Sequence, residues 1–156
     1  MVLDSPCRPH GSEAVFRILL SLIFLVAGAN HLLAPDKVAA KLVAAPLAYL
    51  ATSWASPVLL VKLAGLALVV GGLGLVTGTF TRWAAGLLMA VLIPITITVQ
   101  VGPDSVGPLF KNIAIFGALV YFAANGASAF SIDAALARWP ANAGNGPLST
   151  RTKGTS

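Results

Sequence analysis

Four long blocks of apolar residues, separated by short polar stretches, dominate this sequence. They cover residues 14–33, 58–77, 83–101 and 109–125, and each is near the roughly 20 residues that an α-helix needs to cross a bilayer. Only 10% of the 156 residues are charged, against roughly a quarter in soluble domains. The sequence therefore predicts an all-α integral membrane protein, an antiparallel four-helix bundle in which short turns make successive spans neighbours.

The segments outside the spans are polar. Residues 1–13 form an N-terminal lead, residues 14–126 the transmembrane domain, and residues 127–156 a tail that we expect to be partly disordered, since its end is rich in Gly, Asn, Ser and Thr. Between the first two spans, Lys37 and Lys41 lie four residues apart on one helical face. This spacing predicts a short interfacial helix there.

The first apolar block has two readings. Ala27-Gly28-Ala29 has the small-x-small form of a signal-peptide cleavage site. Hydrophobicity continues beyond that site through Leu33, and the lead contains acidic residues, so we expect a retained first span. Arg17 lies near the start of this block and is expected to snorkel to the interface.

The basic residues predict the orientation of the bundle. One side carries Arg8, Arg17, Arg82, Arg138, Arg151 and Lys153, and the other carries Lys37, Lys41, Lys62 and Lys111. Cytoplasmic segments are enriched in Lys and Arg, so both termini are predicted to be cytoplasmic. The net charge of +5 comes from basic residues at helix ends and in the tails. Such positions favour contact with anionic lipid headgroups over binding of nucleic acid.

Polar residues from all four spans fall at one depth when the helices are laid antiparallel. We call this set the polar ring; its members are Asn30, His31, Lys62, Gln100, Lys111 and Asn112. One interpretation is interfacial: lysines snorkel, and Asn, Gln and His cap or tie helices together. The other is a ligand site, because intramembrane ionisable groups are candidates for function.

The residues absent from the spans narrow the chemistry of such a site. The spans contain no Asp or Glu, which argues against a carboxylate proton relay, and one histidine cannot form a haem or metal site without partners. Cys7 is the single cysteine, so no internal disulfide or CxxC pair exists. The lysines, with Asn and His as donors, suit a carbonyl or an anionic headgroup, such as that of a quinone or a lipid.

Two further patterns concern helix packing. A row of small residues follows one face of the second span: Ala64, Ala67, Gly71, Gly74 and Gly78. Lys62 projects from roughly the opposite face, so either the row packs inside the bundle and Lys62 snorkels, or Lys62 faces the bundle and the row meets a partner. In the third span, Pro94 should kink the helix, with Thr96 and Thr98 bonding freed carbonyls.

Three segments resemble the DoxX family of small bacterial membrane proteins. They are RILLSLIFLVAGANH at residues 17–31, VGGLGLVTGTFTRWAA at residues 70–85 and KNIAIFGALV at residues 111–120. The resemblance covers about residues 14–124 and implies a four-helix bundle in a bacterial plasma membrane. Asn30, His31, Lys111 and Asn112 fit polar positions of the family. Many members have an acidic residue where this chain has Leu68, so no catalytic role is carried over to that position.

Some relatives in this family are subunits of thiosulfate:quinone oxidoreductase, and others are linked to oxidative-stress complexes. The resemblance thus implies a quinone- or lipid-binding accessory subunit of a membrane redox complex, with no covalently bound cofactor and with the electron-carrying cofactor on a partner protein. The alternative is a non-enzymatic assembly or structural subunit whose small-residue row docks another membrane protein. A solute transporter is disfavoured, because four spans show no charged path and no inverted repeat.

Overall fold

The computed structural model describes residues 10–100, 106–127 and 131–132. Within these residues the chain forms six helices, of which four are long and apolar enough to cross a membrane. The helices are α1 (His10–Leu33), α2 (Pro35–Val43), α3 (Ala48–Thr52), α4 (Pro57–Thr77), α5 (Thr81–Val99) and α6 (Val106–Asn125). The predicted class, an all-α protein with four membrane spans, is confirmed.

The long helices differ from the predicted spans mainly at their starts. Helix α1 begins at His10 and α6 at Val106, each a few residues before the first residue of the apolar block. The first turn of α6 therefore precedes Lys111, which lies in the second turn and not at the free N–H groups of the helix N-terminus. The rest of the polar lead and most of the tail lie outside the described residues.

The residue pairs in contact between neighbouring long helices show the relative directions of these helices. The contacting pairs are Gly28 with Gly65 and Leu25 with Gly72 for α1 and α4, Gly71 with Leu88 and Gly74 with Ala84 for α4 and α5, and Thr96 with Asn112 and Arg82 with Ala123 for α5 and α6. In each case a later residue of one helix meets an earlier residue of its neighbour. Each of these three neighbouring pairs is therefore antiparallel.

One apolar core joins all four long helices. Phe24 of α1, Leu68 of α4, Leu88 of α5 and Leu119 of α6 are buried in this core. The rings of Phe16 and Phe122 lie 5.5 Å apart between centroids, and this contact brings α1 against α6. Many large side chains on the outside of the bundle are exposed and apolar, including those of Leu19, Leu63 and Ile97, as lipid-facing surfaces are. The chain is a multi-pass membrane protein.

Helix α4 packs against α1 and α5 through two different faces, each of which carries glycines. Gly65 and Gly72 lie seven residues apart, and so on one face, and both contact α1. Gly71 and Gly74 lie on the adjacent face and contact α5. A Cβ built on Gly65 would lie 2.7 Å from the Cβ of His31, and one built on Gly71 would lie 2.6 Å from Cγ of Leu88. The absence of side chains on both faces therefore sets how closely α4 approaches α1 and α5.

Helix α2 packs across one end of the bundle. Its buried residues Ala39 and Leu42 contact Val61 near the start of α4, and Val99 at the end of α5 packs against the same cluster. Lys37 and Lys41 are exposed on the other face of α2. We call this end, where α1 and α5 end and α4 and α6 begin, the α2 end. That α2 lies at a membrane interface stays a prediction.

The opposite end of the bundle contains the turn between α4 and α5, and we call it the turn end. Gly78 adopts a left-handed conformation with φ of 68°, and the Gly78 and Thr79 amides donate to carbonyls of Leu75 and Gly74 at 3.3 and 3.1 Å. This is the Schellman pattern, for which glycine is preferred because it has no Cβ. Phe80 follows with a positive φ of 47°.

Candidate functional site

Half of the polar ring lies on the outside of the bundle. Asn30, Lys62 and Lys111 are exposed. Lys62 is exposed on α4, whereas Gly71 and Gly74 of the small-residue row lie against α5. That the six ring residues form one ligand site stays a prediction.

His31 and Gln100 are half-buried at the α2 end. The Nδ1 atom of His31 lies 2.7 Å from the carbonyl oxygen of Ala27 in its own helix. Because a carbonyl only accepts, Nδ1 must carry the proton and donate it. The Oε1 atom of Gln100 is buried and has no hydrogen-bond partner among the described residues. His31 is thus folded back onto α1, and Gln100 ends α5 as its C-cap residue.

Asn112 is the ring residue that points into the bundle. Its side chain is only 4% exposed, and Nδ2 donates a hydrogen bond of 2.8 Å to Oγ1 of Thr96 on α5. Thr96 in turn donates to the carbonyl of Leu92 at 2.7 Å. The bonds form a continuous path from Asn112 through Thr96 to the backbone of α5. This is a polar link between two membrane helices, of the kind that Ser, Thr and Asn make in bundles.

The threonines near Pro94 do not bond the carbonyl that proline leaves free. A proline at position 94 removes the amide that would bond the carbonyl of Ala90. The hydroxyls of Thr96 and Thr98 instead donate to Leu92 and Pro94, each at 2.7 Å. The expectation that they bond the freed carbonyl is wrong for Ala90. Thr96 was missed as a site residue, because its link to Asn112 depends on how α5 and α6 are rotated.

An open groove of about 220 Å³ lies between α5 and α6 and contains this link. It is lined by Leu92, Ile93, Thr96, Ile97, Asn112, Ile113 and Phe116. Apart from Thr96 and Asn112, the lining is apolar, and it opens on the lipid-facing side where Ile93, Ile97 and Ile113 are exposed. An apolar cleft with a few placed polar groups is the usual form of a small-molecule site.

Arg17 is buried within the protein at the turn end, and that its guanidinium reaches the membrane interface stays a prediction. Its side chain is 2% exposed, and a Cβ built on Gly78 would be 2.7 Å from a guanidinium nitrogen of Arg17. Because Gly78 has no side chain, the guanidinium fits against the α4–α5 turn instead of turning outward. Ser21, Thr81 and Ser131 are the other buried polar residues at this end. In the sequence, the feature that indicates this cluster of buried polar residues is a single arginine inside an apolar block.

A second, larger groove runs between α4 and α5 at the turn end. Its volume is about 640 Å³, and its walls include Gly71, Gly74 and Ala84 together with Phe80 and Trp83. The side chains of Phe80 and Trp83 are 73% and 79% exposed. Part of the small-residue row is therefore reachable from the lipid side, although the same glycines contact α5.

The comparisons with known proteins give one family. The DoxX family model matches residues 13–101, which is more than half of the chain. The chain belongs to the DoxX family. Neither the comparison with curated proteins nor that with solved structures gives a match.

The DoxX match covers helices α1 to α5 and ends before α6. Asn30 and His31 lie within the matched region, whereas Lys111 and Asn112 lie beyond it. Leu68, at the position where many DoxX proteins are expected to carry an acidic residue, is 3% exposed and belongs to the apolar core. The two polar residues of the α5–α6 groove are thus divided: Thr96 lies within the matched region and Asn112 lies beyond it.

Proposed function

We propose that this DoxX-family protein is an accessory subunit of a membrane redox complex and binds a quinone or a lipid headgroup in the groove between α5 and α6. The observation that carries the proposal is the buried amide of Asn112, bonded to Thr96 and set in an otherwise apolar groove that opens toward lipid. A polar amide placed in an otherwise apolar cleft is the usual arrangement of a small-molecule site. We place the protein in a bacterial plasma membrane with both termini cytoplasmic.

The depth of the groove supports a headgroup as its ligand. Thr96 lies three residues before the end of α5, which is about 5 Å at 1.5 Å per residue. Asn112 lies six residues after the start of α6, or about 9 Å. Both polar groups therefore lie on the α2-end side of the middle of a hydrocarbon core about 30 Å thick. A polar ring or glycerol group would reach them while its apolar chain stayed among the lipid tails.

The rest of the redox chemistry is assigned to a partner. The chain has one cysteine and two histidines, whereas protein-held iron–sulfur clusters use four ligands, usually cysteines. We therefore propose that a partner protein carries the electron-carrying cofactor, and that this chain contributes the membrane-side binding site. A quinone bound in the groove would be the electron carrier shared by the two proteins.

The experiment measures quinone and lipid retained per protein after gentle solubilisation, by mass spectrometry of the intact complex. Asn112→Leu removes the amide but leaves the Thr96 hydroxyl bonded to Leu92, so the variant should insert and fold while ligand retention falls. Asn30→Leu is the matched control, since it removes an exposed amide at the same end of the bundle. Its retention should equal that of the wild type.

Lys111→Met distinguishes the two classes of ligand. Lys111 is exposed and does not line the groove, but it immediately precedes Asn112. An anionic lipid headgroup would extend from the groove toward this charge, so its retention should fall in both Lys111→Met and Asn112→Leu. A neutral quinone should be lost only from Asn112→Leu. Unchanged ligand content in both variants would leave Asn112 as a helix-packing residue and would refute the proposal.

A second candidate function is docking of another membrane protein. The observation that favours it is the groove between α4 and α5, where exposed Phe80 and Trp83 flank Gly71 and Gly74. A partner's transmembrane helix can approach closely over such small residues. Trp83→Ala removes one wall of the groove without altering a buried contact. Loss of a copurifying membrane subunit in this variant, with ligand retention unchanged, would support docking over ligand binding.

A further inference from the structure

The orientation of the Asn112 amide is fixed by the hydrogen bonds of Thr96. The Thr96 hydroxyl has one proton, and it donates this proton to the carbonyl of Leu92 at 2.7 Å. Toward Asn112, 2.8 Å away, Thr96 can then only accept. The atom of Asn112 that faces Thr96 must therefore be the nitrogen, which assigns the amide oxygen by the hydrogen-bond network.

The amide oxygen of Asn112 is left as an acceptor. The bond to Thr96 is the only hydrogen bond of the Asn112 side chain among the described residues. The nitrogen keeps a second N–H, whereas the oxygen has no partner in this part of the chain. Since Asn112 lines the groove, a ligand that supplies a donor can bond this oxygen, at a net gain of about one hydrogen bond.

We infer that the groove binds the reduced, hydroxyl-bearing form of its ligand, a quinol, in preference to the quinone; this inference rests on the proposed function. A quinol has two O–H donors, one of which can donate to the Asn112 oxygen. A quinone has only carbonyl acceptors, so it can accept from the second N–H of Asn112 but leaves the amide oxygen without a donor. The apolar tail of either form would lie over the exposed Ile93, Ile97 and Ile113.

The sequence alone favoured the opposite ligand chemistry. Asn, His and Lys were expected to act as donors toward a carbonyl or an anion. In the structure the Nδ2 of Asn112 already donates to Thr96, and the Nδ1 proton of His31 is bonded to Ala27. The Asn112 amide therefore keeps one N–H, and among the groups that line the α5–α6 groove its oxygen is an acceptor with no partner in the described structure.

The test compares the affinity of the purified full-length protein for a short-tailed benzoquinone and for its quinol. Equilibrium dialysis under anaerobic conditions in lipid nanodiscs gives both dissociation constants. We expect the wild type to bind the quinol about fivefold to tenfold more tightly, as one net hydrogen bond of about 1 kcal/mol implies. Asn112→Leu should weaken the binding of both forms and bring the ratio of their affinities to about one, because it removes the amide that bonds them. Asn30→Leu should behave as the wild type.

Thr96→Val tests the positioning of the amide. This variant keeps the shape of the side chain but removes the hydroxyl that accepts from Asn112. The amide can then present either its oxygen or its nitrogen to the groove, so the ratio of the two affinities should fall to about one while both forms still bind. A merely structural role of Thr96 would weaken both forms equally and keep their ratio.

The outcomes separate the inference from the proposed function. Equal affinities in the wild type, or tighter binding of the quinone through the second N–H of Asn112, would overturn the preference while leaving a quinone site in place. No binding of either form would refute both. Diacylglycerol, a hydroxyl donor on a lipid, is the competing source of the same chemistry. If it binds in an Asn112-dependent way and the quinol does not, the assignment to a quinol is wrong.

Discussion

Replacing Gly28 with alanine tests whether close approach of α1 and α4 holds the bundle together. A Cβ built at this position would lie 2.9 Å from the carbonyl oxygen of Gly65 and 3.0 Å from the amide nitrogen of Val69. Both atoms belong to the backbone, so neither can rotate away. Ordinary van der Waals contact begins at 3.4 Å, and α4 must therefore retreat by about 0.5 Å.

The expected cost follows from that displacement. A gap of about 0.5–1 Å forfeits a quarter to a half of the dispersion attraction at each contact it opens, and overpacking of this kind typically costs about 1–3 kcal/mol. Alanine gains up to about 1 kcal/mol over glycine in helix propensity, which offsets part of this cost. We expect Gly28→Ala to lower the free energy of unfolding by about 1–2 kcal/mol.

Gly86→Ala in α5 is the matched control, because a Cβ there would meet nothing within 4 Å. It should leave stability unchanged or raise it by up to about 1 kcal/mol. Equilibrium unfolding in mixed micelles with increasing SDS, followed by tryptophan fluorescence, measures both variants against the wild type. If Gly28→Ala is as stable as Gly86→Ala, the contact between α1 and α4 does not limit the packing, and the argument from backbone distances fails.

Three further predictions concern the ends of the bundle. Arg82 donates to the carbonyls of Ala123 and Ala124 at 3.0 and 2.8 Å, so Arg82→Ala should fray the last turn of α6 at a cost of about 1–2 kcal/mol. Amide hydrogen exchange should then be faster in that turn only, and unchanged exchange would contradict the prediction. Arg17→Met should destabilise the fold by about 2 kcal/mol or more, because it removes a buried charged side chain from the interactions it makes inside the protein. A midpoint of SDS unfolding equal to that of the wild type would contradict this. Single cysteines engineered in the tails should be labelled only from the cytoplasm and one at Ser105 only from outside, and labelling of a tail from outside would overturn the predicted orientation.

The hydropathy of the sequence was enough to predict the four spans. A continuous apolar run predicts the length of a membrane span but not the rotation of the helix about its axis. The sequence therefore could not show which face of each helix is buried. Helix α4 illustrates this: both Gly65 and Gly71 are buried, on faces 120° apart at six residues and 100° per residue, and the row predicted along one face omitted Gly65. The contact with α1 became visible only with the structure.

The members of the polar ring differ in burial for the same reason. Lys111 and Asn112 are adjacent in the sequence and share a depth, yet one is exposed and the other is buried. A step of 100° between neighbouring residues separates the lipid-facing side of α6 from the side that meets α5. The burial of Arg17 could not be predicted for a different reason: nothing in the sequence showed that Gly78 would leave room for a guanidinium against the turn.

The Asn112 amide contributes little to the stability of the bundle, and this makes it a useful reporter of binding. Hydrogen bonds between membrane helices average about 0.6 kcal/mol in double-mutant cycles, and after Asn112→Leu the Thr96 hydroxyl still donates to Leu92. Leucine would fill the same position between α5 and α6 with apolar contacts of comparable size. Because the fold does not depend on the amide, a loss of ligand in a stably folded Asn112→Leu variant measures recognition by that amide and not damage to the site.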